Sequence, residues 1–165
     1  MQITEIYKSL QGESTYAGLP CVFVRLTGCN LRCSWCDTEY SFFGGEKMSP
    51  EQVLKEIADL SLPGGLVEIT GGEPMLQERE LVPLMLRLLD SGYRVLLETS
   101  GERELDRVPP AFSRWRCSAY RPYRRNECVA SLRTLSQRNP AHAGNRPTYR
   151  RRRYRKVNVY SALPA

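Results

Sequence analysis

The stretch "GCNLRCSWCDTEY", residues 28–40, places Cys29, Cys33 and Cys36 within eight residues, spaced Cys-x3-Cys-x2-Cys. Thiolates are ligands for zinc and for iron–sulfur centres. A structural zinc site closes four ligands, commonly as two separated pairs, and no second pair stands next to this loop. Three thiolates from one loop suit a four-iron cluster better: protein holds three irons and the fourth stays open to another ligand. Taken alone, the loop also leaves a zinc knuckle or three unrelated core thiols as alternatives.

Such a loop needs rigid elements to carry it. "CVFVRL", residues 21–26, is rich in β-branched and aromatic residues after Gly18 and Pro20 and reads as a strand. Alternation puts Val22, Val24 and Leu26 on one side and Phe23 and Arg25 on the other. "SPEQVLKEIADL" offers Ser49 as N-cap, Pro50 at the first helical position and Gln52 three residues after the cap, with Val53, Leu54, Ile57 and Ala58 as an apolar stripe. "GLVEIT", residues 65–70, reads as a second strand closed by Gly71-Gly72. "ERELVPLMLRLLDSG" repeats the helical spacing through Leu81, Leu84, Met85 and Leu88, with Gly92 placed to end it. "YRVLLETSG" supplies a third strand.

Strand, helix, strand, helix, strand in this order describes parallel βαβ units with right-handed crossovers, an α/β fold that is an open sheet or part of a barrel. In both, ligands sit at the carboxyl ends of the strands. The cysteine loop, Gly71-Gly72-Glu73-Pro74 and Thr99-Ser100-Gly101 all fall there, so three separate features converge on one face.

The chain has 165 residues, 41% hydrophobic and 25% charged, an ordinary globular composition for one domain. No stretch approaches the roughly 20 apolar residues that span a bilayer, and no basic flank precedes an apolar run. These features predict a cytoplasmic protein without a membrane partner, in which the three loop cysteines serve a metal or cluster rather than disulfides and Cys21, in an apolar strand, is a small core residue. The net charge of +6 is unevenly distributed. Residues 1–110 hold 10 Lys+Arg against 17 Asp+Glu, whereas residues 111–165 hold 14 against 1.

With Trp35 before the third cysteine, the loop resembles the Cys-x3-Cys-x-aromatic-Cys pattern of the radical S-adenosylmethionine (radical SAM) superfamily. Within it, the sequence is similar to the 7-carboxy-7-deazaguanine synthase family over about residues 1–110. Five motifs occur in order: Gln11-Gly12-Glu13, Arg25, the cysteine loop with Asp37-Thr38, Thr70-Gly71-Gly72-Glu73-Pro74, and Glu98-Thr99-Ser100-Gly101. The resemblance implies a partial (β/α) barrel and a carbon–nitrogen lyase of queuosine-type biosynthesis. That lyase converts 6-carboxy-5,6,7,8-tetrahydropterin to 7-carboxy-7-deazaguanine and ammonia.

The implied cofactors are a 4Fe-4S cluster on Cys29, Cys33 and Cys36, SAM chelated at the open iron, and Mg²⁺ on Thr38. SAM would lie against Trp35, Cys36, Asp37, Gly71, Gly72, Glu73 and Ser100; substrate would lie against Leu10, Gln11, Gly12, Arg25 and Thr70. The SAM-derived radical removes a hydrogen from the ring carbon bearing the carboxylate, and SAM is regenerated, so no catalytic side chain beyond cluster and SAM is implied. The resemblance further implies a homodimer and an electron donor such as flavodoxin. A glycyl-radical-activating enzyme is the rival within the superfamily; outside it, the rival is a zinc-bound nucleic-acid-binding protein.

Past Pro110 the periodicity stops, and thirteen of the fourteen positive charges are Arg. Residues 111–165 read as an irregular Arg-rich tail, disordered or the product of an altered reading frame, in place of the C-terminal half of the barrel. Nucleic-acid binding by this tail is the weaker reading, since it has no recognisable binding fold. Catalytic competence and the covering of the third strand's edge both turn on this segment.

Overall fold

The computed structural model describes residues 1–33, 36–101, 103 and 105–108, together with the backbone of residues 114–116 and 157–160. Two βαβ units form the centre: β2 (Pro20–Leu26), α1 (Pro50–Leu60), β4 (Leu66–Gly71), α2 (Glu78–Asp90) and β5 (Arg94–Thr99). β2 pairs parallel with β4, and β4 parallel with β5, as the alternation of strands and helices predicts. The seven-stranded sheet has the order β3-β1-β2-β4-β5-β7-β6. It is a mixed sheet, because β1 (Gln2–Leu10) runs antiparallel to β2 and β3 (Glu46–Lys47) antiparallel to β1.

α1 starts as expected. The Ser49 side chain accepts from Gln52 N at 3.2 Å, and Gln52 Oε1 accepts from Ser49 N at 2.7 Å, a reciprocal capping box. Its buried face is narrower than the predicted stripe. Val53 and Ile57 are buried, Leu54 is half-buried and Ala58 is exposed, because α1 contributes one edge of its surface to the core. α2 buries Leu81, Leu84, Met85 and Leu88, and Gly92 adopts φ +83° just past its end.

Both helices lie on one face of the sheet. There Val22, Val24 and Leu26 join Val67, Ile69, Val95 and Leu97 in a continuous core with the helix residues. The opposite face carries a smaller apolar floor of Cys21, Phe23, Leu66 and Leu96.

Two short strands lie where the sequence predicts no regular structure. β7 (Val157–Tyr160) pairs antiparallel with β5, and β6 (Arg114–Arg116) pairs antiparallel with β7. "VNVY" is a short period-2 run set in a basic context, and it covers the β5 edge that the irregular-tail reading leaves bare. The rest of residues 111–165 lies outside the described residues. Among the described residues no helix is long and apolar enough to cross a membrane.

Candidate functional site

The cysteine loop leaves β2 through Thr27 and Gly28. Gly28 N donates to Ser41 O at 2.8 Å, and Gly28 O accepts from Glu73 N at 2.9 Å, so the base of the loop is fixed to the end of β4. A Cβ at Gly72 would stand 2.5 Å from Gly28 O and 2.6 Å from Cys29 Cβ; at Gly71, with φ +149°, it would collide with the Leu26 carbonyl. Both glycines are required because protein backbone passes there, which is how the β4 tip comes against the thiols.

Cys29, Cys33 and Cys36 are free thiols, each half-exposed. All three line a cavity of about 120 Å³ with Leu31, Asp37, Thr38, Phe42, Thr70, Gly71, Gly72, Glu98, Thr99 and Ser100. A tight turn, Cys36 N to Cys33 O at 3.2 Å, brings two of them around, and the Arg32 guanidinium packs over the Phe42 ring at 4.3 Å. Burial pushes the Cys29 and Cys33 thiols up from their ordinary range. Among the described residues no three His, Cys, Asp or Glu side chains converge as one metal ion would require. Three thiolates of one loop lining one cavity are a donor set that fits an iron–sulfur cluster.

A second cavity of about 190 Å³ shares Asp37, Thr38, Thr70 and Glu98 with the first and adds Gln11, Gly12, Glu13, Ser14, Phe23, Arg25 and Glu68. It sits on the face of the sheet away from the helices, at the carboxyl ends of β2, β4 and β5. Arg25 lies opposite Thr70 in the β2–β4 register, and the Thr70 hydroxyl donates to Glu98 Oε2 at 2.7 Å. Arg25 Nε donates to Glu5 Oε1 at 2.7 Å, and its Nη2 to the Tyr7 hydroxyl at 3.3 Å. The guanidinium is thus aimed by β1 while it lines the cavity.

The structure brings Gly12, Arg25, Asp37, Thr38, Thr70, Gly71, Gly72, Ser100 and the three cysteines to these two cavities. Leu10 and Glu73 line neither cavity, while Gln11 lines the second with its amide already bonded within the protein. Leu10 is 63% exposed and lines neither cavity, because the end of β1 turns it outward. The Gln11 amide, expected to face a ligand edge, is engaged within the protein: Nε2 donates to Glu68 Oε2, and Oε1 accepts from Glu13 N at 2.9 Å.

Glu73, expected at SAM, is 1% exposed and lines neither cavity. Its Oε1 accepts from Met75 N at 2.9 Å and the Thr99 hydroxyl at 2.7 Å; its Oε2 accepts from Ser100 N at 2.9 Å and the Ser100 hydroxyl. It clamps the β4 and β5 tips together. Trp35 lies outside the described residues.

Sequence reasoning gave Glu68 no role. A single acid inside the apolar run "GLVEIT" is the signal that could have found it, since a carboxyl in a buried strand needs a partner. Cys21, expected as a core residue, is 1% exposed, and burial beside Glu68 pushes its thiol up to about 12.

The model of the Radical SAM superfamily matches residues 23–116. A 7-carboxy-7-deazaguanine synthase of Koribacter versatilis is 71% identical over 109 residues, covering 66% of this chain and 48% of that protein. The protein of the same name from Thermoplasma acidophilum is 46% identical over 101 residues, 61% of this chain and 47% of its own. The crystal structure of QueE from Escherichia coli superposes with a TM-score of 0.55 at 33% identity, covering 62% of this chain and 54% of that one. The chain spans about half the length of the curated relatives it matches. With three free thiols around one cavity, parallel strands delivering three loops to it, and a family match over residues 23–116, the chain belongs to the radical SAM superfamily and has the α/β architecture of its partial barrel.

Proposed function

We propose that the thiol cavity holds a 4Fe-4S cluster and SAM, and that the adjoining cavity takes 6-carboxy-5,6,7,8-tetrahydropterin for ring contraction to 7-carboxy-7-deazaguanine with loss of ammonia. The observation that carries this reading is the shared lining: Asp37, Thr38, Thr70 and Glu98 belong to both cavities, so a ligand in one lies against a ligand in the other. The identity to 7-carboxy-7-deazaguanine synthases over 109 residues supports the same substrate class.

Cys29, Cys33 and Cys36 would hold the cluster, which when bound supplies the electron for SAM cleavage and the open iron for the methionyl group. Gly71, Gly72 and Ser100 would border SAM, with the two glycines keeping side-chain atoms out of its place. Arg25 has five N–H donors; it serves Glu5 and Tyr7 and keeps donors for the pterin carboxylate, a pairing that favours guanidinium geometry. Thr70 and Glu98 would meet the donor-bearing edge of the ring. Thr38, whose hydroxyl lies 3.8 Å from Cys36 Sγ, would offer the hard oxygen that Mg²⁺ prefers. The family resemblance further supports a cytoplasmic homodimer served by a flavodoxin-type electron donor.

The test is anaerobic reconstitution with iron and sulfide, followed by SAM, dithionite, Mg²⁺ and 6-carboxytetrahydropterin, with 7-carboxy-7-deazaguanine read by mass spectrometry. Product that vanishes in Cys33→Ala supports the reading. A reconstituted cluster whose EPR signal responds to SAM while no pterin is consumed would sink it.

A further inference from the structure

Below the layer of Arg25, Thr70 and Glu98, β4 turns one more carboxyl inward. Glu68 is 5% exposed, between Phe23 of β2 and Leu96 of β5 in the register, with Cys21 and Leu66 below it. A carboxyl in such surroundings persists only with hydrogen-bond partners. Gln11 Nε2 donates to Glu68 Oε2, and the Glu98 carboxyl lines the same cavity close enough to raise the Glu68 carboxyl. Two facing carboxyls attract only when one carries a proton, because ionised carboxylates only accept.

Both walls of the cavity hang on this pair. On one side, Gln11 N donates to Leu19 O at 2.9 Å, Gly18 N donates to Gln11 O at 2.7 Å, and Gln11 Oε1 receives Glu13 N. The Gln11 side chain therefore fixes the turn through Gly12 to Ser14, whose φ of +67° is the one positive value at a non-glycine among the described residues. On the other side, Glu98 receives the Thr70 hydroxyl and faces the Glu68 carboxyl.

We propose that Glu68 is a positioning residue for this cavity: by bonding Gln11 and facing Glu98 it places the Gly12–Ser14 wall and the Glu98 carboxyl to receive a ligand with N–H donors on one edge and a carboxylate on the other. The ligand class rests on the pterin reading above; the relay through Glu68 does not.

The relay is pH-sensitive. The groups facing Glu68 are Glu98 from β5, Glu13 from the loop after β1 and Cys21 from β2, with Arg25 and Asp37 lining the same cavity. Burial first, and the Glu98 charge second, push Glu68 up to about 8, so the two carboxyls share a proton into the neutral range. Above that, the shared proton is lost and a new negative charge opposes an anionic ligand.

The experiment uses the full chain as wild type, Glu68→Gln and Glu68→Leu. Anaerobic calorimetry measures the Kd for 6-carboxytetrahydropterin from pH 6 to about 9, and ligand-free melting is followed from pH 5 to about 9. Gln keeps a donor for Glu98 and an acceptor for Gln11 without a titrating proton; Leu removes both.

The wild-type Kd is expected to rise about tenfold between pH 7 and 9, following the loss of one proton near pH 8. Glu68→Gln binds like wild type at pH 7 and stays flat, and Glu68→Leu binds about tenfold or more weakly throughout. Because the folded-state pKa lies above the ordinary carboxyl value, the folded chain holds a proton that the unfolded chain releases. Wild-type melting temperature therefore falls as pH rises from the ordinary carboxyl range to about 8, and Glu68→Gln removes that fall.

Wild-type affinity in Glu68→Leu, or an unchanged pH profile in Glu68→Gln, overturns the proposal. If wild type binds no pterin at any pH, the pterin reading fails, and the melting arm decides the relay: a profile shared by wild type and Glu68→Gln overturns it.

Discussion

β4 and β5 present two faces built from alternate residues of the same backbone. Towards the helices stand Val67, Ile69, Val95 and Leu97, each at most 1% exposed. Towards the other side stand Leu66 and Arg94 at the amino end, Glu68 and Leu96 in the middle, and Thr70 and Glu98 at the carboxyl end. The helix-covered face is apolar through Val67, Ile69, Val95 and Leu97, and only at its carboxyl end do Gly71 and Thr99 reach the thiol cavity. The uncovered face is mixed, with Leu66 and Leu96 set among Arg94, Glu68, Thr70 and Glu98, and the cysteine loop arrives at its Thr70 and Glu98 end. Folding energy and chemistry are thus separated by a single residue step along each strand.

The sharpest way to break this division is on the helix face. Leu97→Ala should cost about 2–5 kcal/mol through lost burial and the cavity left behind, measured by urea unfolding. A cost below about 1 kcal/mol would mean that the face is less closely packed than the burial of Leu97 indicates.

The next largest effect is a pH slope carried by the other face. Wild-type stability should fall as pH rises between the ordinary carboxyl range and about 8, at up to about 1.4 kcal/mol per pH unit. Glu68→Gln should flatten that slope, and no substitution on the helix face should.

Smaller still is Glu73→Gln. It keeps the shape but removes the charge from the bonds to Met75, Thr99 and Ser100, at about 1–2 kcal/mol. It should also loosen SAM binding by separating the β4 and β5 tips, read as a raised Kd. Unchanged stability and affinity would show that the tips are held by other contacts.

The smallest change expected is at the exposed pair of Lys55 and Asp59 on α1, 3.0 Å apart. Lys55→Ala should cost about 0.3–0.5 kcal/mol and vanish at high salt. A larger or salt-independent loss would place α1 under more tension than its narrow buried edge allows.

Much of this division is legible in the amino-acid sequence. Alternation in "CVFVRL" assigns Val22, Val24 and Leu26 to one side and Arg25 to the other, and the structure agrees. Ser49, Pro50 and Gln52 write the start of α1 in local hydrogen-bonding terms, and the Leu81 to Leu88 spacing writes the buried face of α2.

What escaped depends on partners distant in sequence. β1 mixes Gln2, Thr4, Glu5 and Lys8 among its apolar residues and becomes a strand by pairing with β2. The family resemblance puts Gln11 at substrate and Glu73 at SAM; only the folded chain shows that the Gln11 amide also bonds Glu68 and that Glu73 bonds the β5 tip. Leu10 stands next to the Gln11 turn, yet its side chain points away.

The most direct test of the proposed function compares neighbours on one strand, Leu97 and Glu98, by the rate at which folded, cluster-loaded molecules form the proposed product, 7-carboxy-7-deazaguanine. Leu97→Ala should melt earlier yet turn over 6-carboxytetrahydropterin at the wild-type rate while folded. Glu98→Gln should keep its melting temperature within a few degrees and lose about tenfold or more in kcat/KM. Equal activity losses in the two variants, or a loss confined to Leu97→Ala, would contradict the account, because the chemistry would then not reside on the face that carries Glu98.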